Sequence, residues 1–251
     1  MSDPNNHDNT TAESWRAAQE WERSFWLRDQ KNMRKYGKNL IWKLLALFGR
    51  VDRYRGDDRN RWWKEQFENY KFLPPTAENV IEVGCGPYTN MRLIRHVCKP
   101  LHLFLSDPLI RTYIHFPMTF VREIYQNAGC MLDDHPIEEL PFAEKYFDLV
   151  VMINVLDHVR DARLCMKNVA RIVKPGGILI IAQDLTNEAN RQRTPQDFRT
   201  GHPITLDAEW FKPYLNAFDP LLSKIVPVSA DWERELHYGT MIFSGKKKQL
   251  T

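Results

Sequence analysis

The sequence predicts an α/β fold in which a mostly parallel sheet is covered by helices on both faces, finished by antiparallel strands and preceded by a helical cap. Three features lead there. Between residues 76 and 182, short β-branched runs alternate with helix-length stretches. The last two apolar runs, residues 221–228 and 238–244, have no helix-length spacer between them, which implies antiparallel pairing. Six of the eight tryptophans, Trp15, Trp21, Trp26, Trp42, Trp62 and Trp63, precede Pro74-Pro75, in a region with three glycines and no proline between Asn5 and Leu73. That composition favours helices over strands.

Each element has its own reason. Residues 1–10 are polar, contain no apolar core of a secretory signal, and are expected to be a disordered tail of a cytoplasmic protein. Residues 11–75 read as a Trp-rich helical cap: Trp15, Trp21, Phe25 and Trp26 form an imperfect amphipathic stripe within 12–36, and residues 40–48 repeat the pattern. Neither Pro74 nor Pro75 can continue a helix, so the cap ends there. In the domain from 76 to 251, residues 79–83 form a strand running into a glycine turn, and Leu93, Ile94 and Val97 give 91–97 helical spacing. Residues 101–106 form a second strand, closing on Asp107-Pro108, and 147–153 a third apolar run. Leu164, Val169 and Ile172 suit a crossover helix over 161–173, and 178–182 is a strand launched from Lys174-Pro175-Gly176-Gly177. A helix over 206–215 precedes the antiparallel finish.

Composition excludes several classes. With 251 residues, 43% hydrophobic and 27% charged, the chain can bury one large core, and neither disorder nor a fibrous repeat fits. Its longest apolar stretches, 40–48 and 149–156, fall short of the ~20 residues that a bilayer span needs. Cys85, Cys98, Cys130 and Cys165 are far apart without CxxC or matching His spacing, so reduced thiols are expected, with no disulfide framework and no metal site. A net charge of +3 is too small to imply nucleic acid. Residues 28–71 nevertheless hold thirteen Lys or Arg against six Asp or Glu, a local excess that suits an anionic partner.

Gly84-x-Gly86 directly after the first strand is the strongest chemical signal. Glycine there allows a sharp turn and lets a ligand approach without a Cβ in the way. Asp107 ends the next strand, where a carboxylate can accept from both hydroxyls of a ribose. A dinucleotide fingerprint would need a third glycine at position 89, and Thr89 stands there. The string Val80-Ile81-Glu82-Val83-Gly84-Cys85-Gly86-Pro87 resembles motif I of the class I S-adenosylmethionine-dependent methyltransferases. Ser106-Asp107, Ile137-Glu138-Glu139-Leu140-Pro141-Phe142, Tyr146-Phe147-Asp148-Leu149-Val150, Val155-Leu156-Asp157-His158-Val159 and Val173-Lys174-Pro175-Gly176-Gly177 extend the resemblance in order over residues 79–183.

The resemblance implies a three-layer, doubly wound, seven-stranded sheet and S-adenosyl-L-methionine as cofactor. Glu82 and the backbone of Gly84, Cys85 and Gly86 would hold its methionyl part, and Asp107 its ribose. The backbone of Ile137 and the side chain of Glu138 would meet adenine, and Asn154 would face the sulfonium end. This chain departs from the family pattern at Tyr88, where glycine is frequent, and at Pro136, where an aspartate is frequent, leaving Asp133 or Asp134 as substitutes.

A sulfonium methyl is already activated, so the protein's task is to hold an acceptor in line and exclude water. A hydroxyl acceptor also needs a base, for which His158, beside Asp157, and His202, after the fifth strand, are the candidates. Each has a plainer alternative, His158 as a helix-capping residue and His202 as a turn residue. The cap's aromatics either bury against the sheet edge or close over the cofactor as a lid, with Arg28, Arg34, Lys35 or Lys38 meeting phosphate or carboxylate. Because the cations are mixed with acids, a hydroxyl or amine of a small polar metabolite or saccharide ranks above RNA or protein as the acceptor. A non-catalytic cofactor-binding module remains the third alternative.

Overall fold

The computed structural model describes residues 8–36, 44, 59–228 and 236–249. Seven strands form one sheet: β1 (Thr76–Val83), β2 (Lys99–Ser106), β3 (Met131–Asp133), β4 (Phe147–Ile153), β5 (Val173–Leu185), β6 (Phe218–Pro227) and β7 (Gly239–Lys247). Their order is β3-β2-β1-β4-β5-β7-β6, and β7 alone runs antiparallel, pairing with both β5 and β6. The predicted architecture is therefore observed, including the antiparallel finish.

Strand alternation divides the core into two layers. Along β4, Val150 and Met152 face one layer with Val169, Ile172 and Phe211, while Leu149, Val151 and Ile153 face the other with Phe67, Tyr70, Tyr113 and Val121. Both faces are apolar because both are covered, as parallel sheets require. The crossover helix Ala162–Ile172 matches the predicted span within a residue and starts on Asp161, whose side chain accepts from the Leu164 N–H. All four cysteines are buried free thiols.

Several expectations are corrected. The helix expected over 91–97 is only Met91–Ile94, continued by turns. The strand expected at 178–182 runs from 173 to 185, with a register irregularity against β4 beside Phe147. Not expected from the sequence were β3 and the helices Ile110–Tyr113, Phe120–Ala128, Glu188–Arg193 and Gln196–Gly201, although Phe120–Ala128 is amphipathic and buries Phe120, Val121 and Ile124.

The tail predicted to be disordered through residue 10 is docked at its end. Asn9 bridges Asp161, and buried Asp8 accepts from Arg163 Nε and from Trp210 Nε1 (3.0 Å). Within the cap, the helix α1 (Ala12–Tyr36) and the helix Arg59–Gln66 are described. Trp42, Lys38 and most of the 40–48 run lie outside the described residues, as do the side chains of Arg34 and Lys35.

Candidate functional site

In a doubly wound sheet, the loops at the carboxyl ends of the strands part where the strand order reverses, here between β1 and β4. A cavity of about 490 Å³ opens at this point. Its floor includes Gly84, Cys85 and Gly86 after β1, Asp107 after β2, and Asn154 and Val155 after β4. Its roof is one face of α1: Trp15, Gln19, Glu22 and Trp26 recur at helical spacing, with Trp21 and Phe25 beside them. The amphipathic stripe of the cap is thus a cavity wall.

Gly84 (φ 64°) and Gly86 (φ 55°) both lie in the left-handed region, for different reasons. A Cβ on Gly84 would come within 2.4 Å of Val155, so this glycine lets the β1 and β4 loops touch. A Cβ on Gly86 would meet nothing within 4 Å. Gly86 therefore borders open space, a cradle that any side chain would fill. The Cys85 N–H donates to Ser106 O (3.1 Å) and the Gly86 N–H to Asp107 Oδ2 (3.0 Å). These two donors are engaged within the turn, so what the turn offers a ligand there is its shape.

Asp107 is buried and also accepts from the Leu109 N–H at Oδ1 (2.8 Å). Each carboxylate oxygen thus holds one backbone donor and keeps acceptor capacity for a second. Burial pushes its pKa up to about 6, against the lowering effect of those two bonds. Ile137 and Glu138 follow β3 in a short turn and line the same end of the cavity. Glu138 Oε1 accepts from the N–H groups of Arg160 (2.7 Å) and Asp161 (2.9 Å), while Oε2 is buried away from the cavity surface and the Cys165 thiol lies against the carboxylate. A nucleoside offers hydroxyl donors for the acceptor capacity that Asp107 keeps. The residues present therefore fit the cofactor expected from the sequence.

Glu82 is placed differently from that expectation. It is fully buried, does not line the cavity, and accepts from Thr89 Oγ1, the Asn90 N–H (3.0 Å), Asn90 Nδ2 (3.0 Å) and the Met91 N–H (3.2 Å). Burial raises its pKa against these four bonds. Its work is to shape the turn behind the glycines, and Thr89, at the missing-glycine position, is one of its donors. Asp133 and Asp134 do not substitute at the adenine end: Asp133 is taken by Ser106 and His135, and Asp134 pairs with Arg111 on the surface.

Tyr88 closes over the cavity. Its hydroxyl donates to Asp29 Oδ2 (2.7 Å) and accepts from Gln30 Nε2 (2.9 Å), and its ring packs on Trp26 and Phe120. Asn60 adds a second tie, its Nδ2 donating to Tyr88 O (2.8 Å) and Asn90 Oδ1 (2.9 Å). Asp29, Gln30 and Asn60 were invisible in the sequence, because nothing local distinguishes them from the other polar residues of an amphipathic cap.

The two candidate histidines come together in the wall of the same cavity. Their ring centroids are 4.4 Å apart, with Asp157 Oδ1 3.8 Å from His158 Nε2 and Asp157 Oδ2 3.9 Å from His202 Nε2. His158 Nδ1 bonds Gly201 O (2.8 Å) and His202 Nδ1 bonds Phe198 O (2.9 Å). A carbonyl only accepts, so both Nδ1 atoms carry hydrogen and both Nε2 atoms present a lone pair. Burial draws the His202 pKa down to about 4, helped by neighbouring His158. At His158 burial also acts downward, but Asp157 and Glu22 overcome it and raise the pKa. Asn154 (φ 56°) sits beside them in the cavity wall, its Oδ1 accepting from the Asp184 N–H (3.0 Å). Gly201 is glycine because a Cβ would lie 2.3 Å from the Trp21 ring, so α1 presses directly on the helix that presents His202.

A family model described as a methyltransferase domain matches residues 81–181. A probable S-adenosylmethionine-dependent methyltransferase of Mycobacterium tuberculosis (strain ATCC 25618 / H37Rv) is 27% identical over 128 residues, covering 50% of this chain and 43% of that protein. Ajmaline N-methyltransferase of Rauvolfia serpentina is 22% identical over 169 residues, 63% of this chain and 56% of that one. The chain thus spans about half the length of these curated relatives. Among solved structures, the N-methyltransferase NodS from Bradyrhizobium japonicum WM9 in complex with S-adenosyl-L-homocysteine superposes with TM-score 0.55 at 16% identity, over 88% of this chain and 99% of that chain. The 1,6-didemethyltoxoflavin-N1-methyltransferase of Burkholderia thailandensis gives 0.56 at 13%, over 99% and 94%. At such identities the superpositions concern the fold alone.

Proposed function

Because the chain belongs to the class I S-adenosylmethionine-dependent methyltransferases, we propose that it transfers the cofactor's methyl group to a hydroxyl or amine of a small polar metabolite or saccharide. One observation carries this reading: the glycine turn, Asp107 and Glu138 line the same cavity as Asp157, His158 and His202. When bound, the cofactor supplies an electrophilic methyl. The chain's residues do the positioning. Gly84 and Gly86 leave room for the ligand backbone, Asp107 holds the ribose hydroxyls, and the Ile137-Glu138 segment borders the base. Tyr88 and the α1 aromatics exclude water.

At the acceptor end, His158 takes the proton of a hydroxyl, since Asp157 and Glu22 stabilise its imidazolium, while His202 stays neutral beside it. A cavity of about 490 Å³ roofed by α1 favours a small acceptor over RNA or a protein surface.

The test is incubation with isotopically labelled methyl donor and a pooled metabolite extract, followed by mass spectrometry. Label in a low-molecular-weight hydroxyl or amine supports the reading. Label confined to RNA or protein, or cofactor binding with no labelled product, would replace it with one of the other two.

A further inference from the structure

Asp157, His158 and His202 each offer one ligating atom to a common space, and these atoms lie within 4.8 Å of one another. The 3.8 and 3.9 Å gaps from the imidazole Nε2 atoms to Asp157 are too long for hydrogen bonds. The groups are aimed at a shared point without bonding each other. Every one of them is held from behind. The two rings are anchored by Nδ1–H to the Gly201 and Phe198 carbonyls, and His202 stacks on Phe198 at 3.8 Å. Asp157 Oδ1 accepts from Gln183 Nε2 (2.9 Å), whose Oε1 is in turn fixed by the Val155 and Leu156 N–H groups. An imidazole tied through one nitrogen to a backbone carbonyl, beside a carboxylate that is itself hydrogen-bonded, is how proteins orient metal ligands.

We propose that Asp157, His158 Nε2 and His202 Nε2 bind one divalent first-row transition ion. Two imidazoles and a carboxylate suit such an ion, whereas magnesium and calcium prefer all-oxygen sites. Ligand bonds of about 2.0–2.2 Å put neighbouring ligand atoms roughly 3.0–3.6 Å apart, so the pairs at 3.8 and 3.9 Å need to close by a few tenths of an ångström and the widest spacing, within 4.8 Å, by about 1 Å. Three protein ligands leave coordination positions vacant on the cavity side. An acceptor that offers an oxygen or nitrogen there, such as a vicinal diol or a hydroxy acid, would be held by the ion, which would then acidify a bound hydroxyl in place of His158, because an Nε2 that ligates cannot also accept a proton. That last step rests on the methyl-transfer reading; the ion site does not. Cysteine and histidine spacing gave no hint of it because β4 and the helix Gln196–Gly201 bring the ligands together only in three dimensions.

The test uses the full chain stripped with chelator, titrated with Zn²⁺ by calorimetry and with Co²⁺ by visible absorption. One ion per chain is expected, with a four- or five-coordinate cobalt spectrum. His202→Ala and Asp157→Asn should each weaken binding by about 10–100-fold, while affinity for S-adenosylhomocysteine stays within about twofold and shows that the variants are folded. Ion binding at other stoichiometry, none at all, or binding indifferent to both substitutions overturns the site. Stoichiometric binding lost in the variants, with no methylated product from any acceptor, upholds the ion site and removes the methyl-transfer reading instead.

Discussion

Replacing Asp107 with asparagine isolates the ribose contact. The carboxylate oxygens each accept one backbone N–H, from Gly86 at 3.0 Å and Leu109 at 2.8 Å, and each keeps acceptor capacity for a ligand hydroxyl. Asparagine retains one such oxygen and sets an NH₂ group against the other backbone donor. Losing one charge-assisted bond costs about 1.5–3 kcal/mol, which is roughly a 10- to 150-fold rise in Kd at ~1.4 kcal/mol per decade. Acidity provides a second readout. Burial raises this carboxyl from its usual 3.8 to about 6, and ligand hydroxyls donate best to the ionised form. Affinity should therefore be full above about pH 7 and fall as pH drops through about 6. The effect on the free protein has the opposite sign. A raised folded-state pKa contributes stability below the ordinary carboxylate range, and that contribution is lost as pH rises through about 6. Calorimetric titration with S-adenosylhomocysteine between about pH 5 and pH 8 measures both affinity terms. A flat profile in the parent chain, together with unchanged affinity in a folded Asp107→Asn variant, would refute the ribose assignment.

Three further substitutions probe the remaining contacts. Gly86→Val places a branched side chain at φ 55° and fills the open space beside the turn; we expect about 1–2 kcal/mol of strain, a thermal midpoint lower by about 2–8 °C, and loss of cofactor binding while circular dichroism remains native. Glu138→Gln can keep the oxygen that accepts from Arg160 and Asp161, but it removes the carboxylate charge from the segment that borders the cavity. Calorimetry should show roughly tenfold weaker cofactor binding, and unchanged affinity would mean that adenine lies elsewhere. His158→Asn should lower turnover of a hydroxyl acceptor by about 10²–10⁴-fold with cofactor affinity within about twofold; full turnover would remove His158 as the proton acceptor.

The architecture was legible from one end of the chain to the other because its determinants are local. Apolar runs separated by turn residues marked β1, β2, β4 and β5 along with the final antiparallel pair, and the spacing of Leu164, Val169 and Ile172 marked the crossover helix. Elements of fewer than two full periods, such as β3 and the helix Gln196–Gly201, left no such trace. Gly84, Gly86 and Asp107 could be read for the same reason: a positive-φ turn and a strand-ending acid are properties of a few consecutive residues.

Glu82 shows the limit of that legibility. Motif spacing placed it beside the ligand, whereas the fold buries it among four donors from the 89–91 segment. The direction of a side chain depends on which neighbours satisfy it first. Trp21 and Gly201, or Asp157 and His202, are also far apart along the chain, and no period relates one to the other. By itself, then, the sequence determined the layered α/β fold and the glycine turn with its neighbouring strand-ending acid, since hydrophobic alternation and backbone stereochemistry act between near neighbours. Only tertiary structure decided that α1 roofs the cavity and that two histidines converge on one aspartate, because those contacts exist only once the sheet has set the distances between its loops.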